Sequence, residues 1–188
     1  NLGLLTSVKA VATKSIAGVV NKLDSDEAHQ IEKDAEDTFL KNVKSAGFVA
    51  QPYKVTTADG FILKMFRITD PKNVSTGKPV VFLQHGLMSN SDTWIENIDS
   101  KAPAYTFLRS GYDVWVGNNR GNSHSQQHST KKPSDPDFYK YSFPDLGKYD
   151  LPAQVNKVLE ITGKPNLTYV GHSQGTSQMF WALTNDEA

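Results

Sequence analysis

The spacing of apolar residues changes several times along the chain, and each change marks an element. Over residues 1–23, Leu4, Val8, Val11, Ile16, Val19 and Leu23 fall near helical spacing, and the only charges are Lys9, Lys14 and Lys22. Such a helix either lies on a lipid surface or packs on its own protein or a partner chain. Acids cluster next, at Asp24, Asp26, Glu27, Glu32, Asp34 and Glu36. Asp24-x-x-Glu27 has the form of a capping box, and acids favour a helix N-terminus. A second helix is therefore expected to about Lys44, with Gly47 past its end.

The period then shortens. Residues 53–57 and 61–68 read as a hairpin around Ala58-Asp59-Gly60. After a polar loop over 71–79, the short apolar runs 80–84, 112–117 and 167–170 have the character of strands buried on both faces. Helical patterns separate them, over 104–110 and 149–162, and another follows over 174–183. Strands alternating with helices predict an α/β fold with a mainly parallel sheet covered on both faces. Residues 118–138, rich in Asn, Ser, His and Pro, form a long loop of the kind that often carries function.

Composition narrows the function classes. The formal net charge is zero, so nothing favours a nucleic-acid partner. No run of 18 apolar residues is present to span a membrane. The absence of cysteine excludes a disulfide framework and a thiolate metal site. Asn73-Val74-Ser75 and Asn166-Leu167-Thr168 are candidate glycan acceptors in a secreted protein, with Asn166 the poorer because a strand follows it directly. The chain begins at Asn1, which is expected of a processed, trimmed or partial polypeptide.

The chemistry centres on Gly171-His172-Ser173-Gln174-Gly175. This is G-x-S-x-G with an apolar strand entering and an amphipathic helix leaving, the context of a nucleophile elbow in an α/β-hydrolase. Small residues two before and two after the serine are needed because the backbone crowds itself there. The helix N-terminus favours developing negative charge. Acyl transfer also needs donors for the oxyanion. One is the N–H of Gln174. The other is expected from His85-Gly86-Leu87, after the 80–84 strand, with Gly86 allowing close approach and Leu87 supplying its N–H. His85 is expected to bond loop backbone, and Asn90, Ser91 and Trp94 to shape the same loop.

The segments H-G-L-M-S-N-S-D-T-W, G-Y-D-V-W-V-G-N-N-R-G-N-S-H-S, Y-D-L-P-A and L-T-Y-V-G-H-S-Q-G-T resemble the acid-lipase family of gastric and lysosomal lipases and their insect relatives. G-F-V-A-Q-P-Y-K-V-T-T-A-D-G-F-I-L is similar to that family's N-terminal hairpin. The likeness runs from about Phe39 to Leu183. It divides the chain into a helical extension, 1–38, and the N-terminal part of an α/β-hydrolase domain, 39–188. The resemblance implies a secreted or lysosomal protein, esters of long-chain acyl groups such as triacylglycerols or steryl esters as substrate, no cofactor, Ser173 as nucleophile, and Leu87 and Gln174 as oxyanion donors.

A serine needs a base, and the base needs an orienting acid. In this fold the order is Ser, then Asp or Glu, then His. Asp186 and Glu187 follow Ser173, but no histidine does. Of the upstream histidines, His29, His85, His124, His128 and His172, none is expected to substitute. His172 should point away from the elbow, and His124 and His128 sit on a loop that could reach the site, where the resemblance implies a role in loop structure instead. The expectation is a hydrolase whose acid and base lie on a C-terminal fragment, a second chain that also covers the 167–170 strand edge. The alternative is a lipase-like protein without catalysis, used for storage, lipid binding or structural assembly.

Overall fold

Side chains alternate across a pleated strand, so a strand that is apolar at every position must be covered on both faces. The computed structural model describes residues 25–185 except 74, 76 and 99. The helical period over 1–23, and Asp186 and Glu187, lie outside the described residues.

The described chain runs through helix α1 (Ser25–Ser45), strands β1 (Val49–Thr56), β2 (Phe61–Thr69) and β3 (Val80–Gln84), helix α2 (Pro103–Arg109), strands β4 (Asp113–Val116) and β5 (Gln127–His128), helix α3 (Leu151–Thr162), strand β6 (Thr168–Gly171) and helix α4 (Gln174–Asn185). The sheet order is β1-β2-β4-β3-β6, with the two-residue β5 paired to β2. β3 lies parallel to both β4 and β6. β1, β2 and β4 are joined antiparallel. The sheet is therefore mixed, its parallel half carrying the βα units and its antiparallel half formed by the hairpin.

Every residue of β3 is buried. Val81 and Leu83 share one face with Val114 and Val116 of β4 and Phe66 and Ile68 of β2, and meet Phe39 and Val43 of α1 and Tyr105 and Leu108 of α2. Val80 and Phe82 face the other way with Trp115 and Met65, under Val158 and Ile161 of α3. This two-sided cover is what the apolar runs require.

Three boundaries differ from the sequence expectation. β1 starts at Val49 rather than 53 and runs through Pro52. It lies at the sheet edge, where a residue without an N–H leaves no ladder bond unmade. The helix expected from 149 is preceded by a helical turn, Phe143–Asp145, and a wider π-type stretch, Leu146–Asp150, that lead directly into α3. The boundary drawn at residue 38 falls inside α1, which is continuous. α1 carries acids in its first turn and Lys44 in its last, as its dipole favours. Its C-terminal half packs into the main core, and Glu36 pairs with Lys64 of β2 at 2.6 Å. Phe39 is fully buried and stacks on Phe66 with ring centroids 4.1 Å apart. Phe39→Ala should destabilise the fold by about 3–5 kcal/mol, read by equilibrium urea unfolding.

Candidate active site

The turn from β6 into α4 is closed by contact between backbones. Ser173 has φ +51, in the left-handed region where a side chain is strained by roughly 1–2 kcal/mol. A Cβ on Gly171 would stand 2.6 Å from the Thr176 nitrogen, and one on Gly175 would stand 2.5 Å from the Gln84 carbonyl oxygen and 2.7 Å from that of His85. Both positions therefore require glycine. The elbow is held by His172 N–H donating to Gln84 O (3.0 Å) and Gly175 N–H to His172 O (2.8 Å). The Tyr169 hydroxyl donates to Gly175 O (2.7 Å) and the Thr176 hydroxyl to Gly171 O (2.8 Å). Ser173 is left exposed.

The loop after β3 lies against this elbow. A Cβ on Gly86 would come within 3.1 Å of both Ser173 Cβ and His172 Nδ1. Leu87 and Gln174 face a common cleft of about 810 Å³ with His85, Gly86, Asn119, Tyr141 and Phe143, a volume in the range of small-molecule sites. Among the described residues, neither the Leu87 nor the Gln174 N–H meets an acceptor. The loop is shaped as expected: Asn90 caps the short helical turn Ser91–Trp94, and Asn118 Oδ1 accepts from Ser91 N–H (2.9 Å).

The five histidines are placed as follows. His85 Nδ1 bonds Gly86 O at 2.8 Å, and its Nε2 receives the Asn119 N–H at 3.1 Å. A carbonyl accepts only, so Nδ1 carries the proton and the ring is neutral. Burial pushes its pKa down to about 4. His124 is buried with Nε2 at 2.8 Å from Asp92. His128 bonds Asp59 O at 3.0 Å, and His29 lies near Gln127 at the surface. The His172 ring lies beside Gly86. Among the described residues, no histidine is hydrogen-bonded to the Ser173 hydroxyl.

Comparison with known proteins agrees with this geometry. Residues 79–186 match the model of the alpha/beta hydrolase fold, and residues 40–98 match a partial alpha/beta-hydrolase lipase region. The chain belongs to the α/β-hydrolase fold family. Within this family its curated relatives are lipases. It is 47% identical over 145 residues to lipase lipl-3 of Caenorhabditis elegans, covering 75% of this chain and 36% of that one. It is 43% identical over 141 residues to the gastric triacylglycerol lipase of Bos taurus, covering 73% and 36%. These relatives support the resemblance to the N-terminal portion of the acid-lipase family. The chain spans 31% to 40% of the length of the curated relatives it matches. In fold it is similar to the esterase Pf2001 of Pyrococcus furiosus, with TM-score 0.55, 20% identity, and coverage of 77% of this chain and 49% of that one.

One part of this candidate site is not marked by any local pattern in the sequence. Arg120, buried, is held by Asp150 through Nε (2.7 Å) and by Asp59 through both terminal nitrogens (2.6 and 2.9 Å). Its guanidinium also lies 4.1 Å from the Phe61 ring centre. The Arg120 N–H donates to Asp150 as well, so one carboxylate fixes both side chain and backbone of the loop. Burial pushes the Asp150 carboxyl up to about 6, against the pull of Arg120. Asp59 sits in the hairpin turn and Arg120 in an Asn-rich loop, positions where polarity usually means exposure. The signal was that all three lie in quoted segments, Asp59 in the hairpin segment, Arg120 in G-Y-D-V-W-V-G-N-N-R-G-N-S-H-S and Asp150 in Y-D-L-P-A.

Two outcomes follow. Asp150→Asn leaves Arg120 buried with one charged partner and should cost about 3–5 kcal/mol, measured by chemical denaturation at neutral pH. His85 is neutral when folded and protonates more readily when unfolded, so its contribution is full above about pH 6.5 and is lost as pH falls toward 4. Up to about 3 kcal/mol should disappear across that window, and a His85→Asn variant should lack this part of the acid dependence.

Proposed function

We propose that this chain carries the nucleophile and oxyanion donors of a serine hydrolase acting on lipid esters of the triacylglycerol or steryl ester type. The observation that carries the reading is Ser173, left-handed and exposed between two obligatory glycines, beside two unused N–H groups on one cleft. Ser173 Oγ attacks the ester carbonyl carbon. The carbonyl oxygen takes the negative charge and accepts from the Leu87 and Gln174 N–H groups. The serine proton passes to a histidine and on to the departing alcohol. Water then releases the acyl group by the same path in reverse.

That histidine and its orienting acid belong, in this reading, to the C-terminal part of the hydrolase, since the chain spans well under half the length of its lipase relatives. Two observations support it. His85, His124 and His128 are bonded elsewhere and no described histidine is bonded to the Ser173 hydroxyl, and β6 has β3 on one side and no strand on its other among the described residues. The lipid substrate is supported by the named relatives, among them gastric triacylglycerol lipase. A secreted or lysosomal setting agrees with the same relatives and with Asn73 and Asn166, both on exposed loop positions where a glycan has room. Residues 1–23 remain a candidate lipid-surface contact.

The test is hydrolysis of a soluble ester and of emulsified triacylglycerol by the full-length protein. Ser173→Ala should lower kcat on the order of 10³-fold or more with little change in stability. Undiminished turnover in that variant, or no turnover by correctly folded wild type, contradicts the reading; the second result favours a lipid-binding or storage role.

A further inference from the structure

We infer that His85 is a positioning residue for the oxyanion-binding amide, acting through the peptide bond between Gly86 and Leu87. The inference rests on the reading of Leu87 as a donor given above. The Gly86 carbonyl and the Leu87 N–H belong to one planar trans peptide, so they point in opposite directions. Whatever fixes the oxygen also aims the N–H. His85 Nδ1–H fixes the oxygen, at 2.8 Å.

Little else holds that plane. Gly86 has no side chain to pack. Leu87 and Met88 are 67% and 87% exposed, and Met88 has a left-handed φ of +55. The imidazole is by contrast anchored at its far side, where Nε2 accepts from Asn119 N–H (3.1 Å) and faces Asn122 Nδ2 (3.2 Å). Asn119 in turn donates its side-chain amide to Gln178 Oε1 (3.0 Å). Gln178 is on α4, the helix that opens with Gln174. The chain of contacts Gly86–His85–Asn119–Gln178 thus ties the two donors into one frame, although Leu87 sits on the loop after β3 and Gln174 opens the helix after β6. Without the ring, the peptide is free to rotate and present its carbonyl oxygen to the developing oxyanion, which opposes the reaction. The other cleft walls keep their contacts with substrate, so most of the effect belongs to the transition state.

The experiment uses the full-length protein and p-nitrophenyl butyrate. His85→Leu and His85→Ala are made in parallel, so that one folded variant suffices, with His85→Asn beside them. Asn keeps an N–H donor on the atom that replaces Nδ1. The leucine or alanine variant should lose about 10- to 100-fold in kcat while KM stays within about twofold. His85→Asn should recover most of that loss. A crystal structure of the leucine or alanine variant should show the Gly86–Leu87 peptide rotated over an unchanged Ser173 elbow. Unaltered kcat in a folded variant, an asparagine variant no better than leucine, or an unmoved peptide overturns the inference. If wild type turns over no ester, the reading of Ser173 falls, and the peptide orientation in the variant crystal still decides this one.

Discussion

The contact on which the site depends is the meeting of two backbones at the end of β3. Gly175, in the first turn of α4, lies against the carbonyls of Gln84 and His85, and His172 donates its N–H to the first of them. No side chain fits between. Because β3 and β6 run parallel and adjacent, their C-terminal ends deliver the oxyanion loop and the elbow to the same place. The strain at Ser173 is sustained because β6, α4 and β3 fix it from three sides. A looser fold would let the serine relax into an ordinary conformation.

Around this contact the polar residues work as supports. Asn118, Asn119, Gln154 and Gln178 are buried and cross-link the loop after β4 to α3 and α4. Arg120, between two carboxylates, pins the same loop to the hairpin turn and to the start of α3. Such groups are costly to bury unless each is paired. Pairing also specifies one arrangement of a long loop that lacks regular structure. The cleft wall is therefore rigid although much of it is loop.

Much of this was legible in the sequence because it follows from period and spacing. β3 spans the residues its apolar run marks, and the glycines at 171 and 175 were expected from crowding alone. The hairpin, the three parallel strands and the helices between them follow from changes of period. What periodicity does not show is a polar residue that is buried because a distant partner satisfies it. Arg120 lies 61 positions from Asp59 and 30 from Asp150 in sequence, and nothing local distinguishes the three from solvated charges. The same holds for Glu32, whose carboxylate leaves the polar-looking face of α1 to accept from Gln126 and Gln127. The early start of β1 was missed because Pro52 reads as a strand breaker, and only its edge position makes it tolerable.

The central claim is that Ser173, Leu87 and Gln174 converge on one reacting carbonyl. A crystal structure of the full-length protein after reaction with an alkyl phosphonate tests it most directly. The account predicts phosphorus bonded to Ser173 Oγ, with one phosphoryl oxygen about 2.7–3.1 Å from both the Leu87 and Gln174 nitrogens. Phosphorus on another residue, or a phosphoryl oxygen turned away from those two amides, would contradict it.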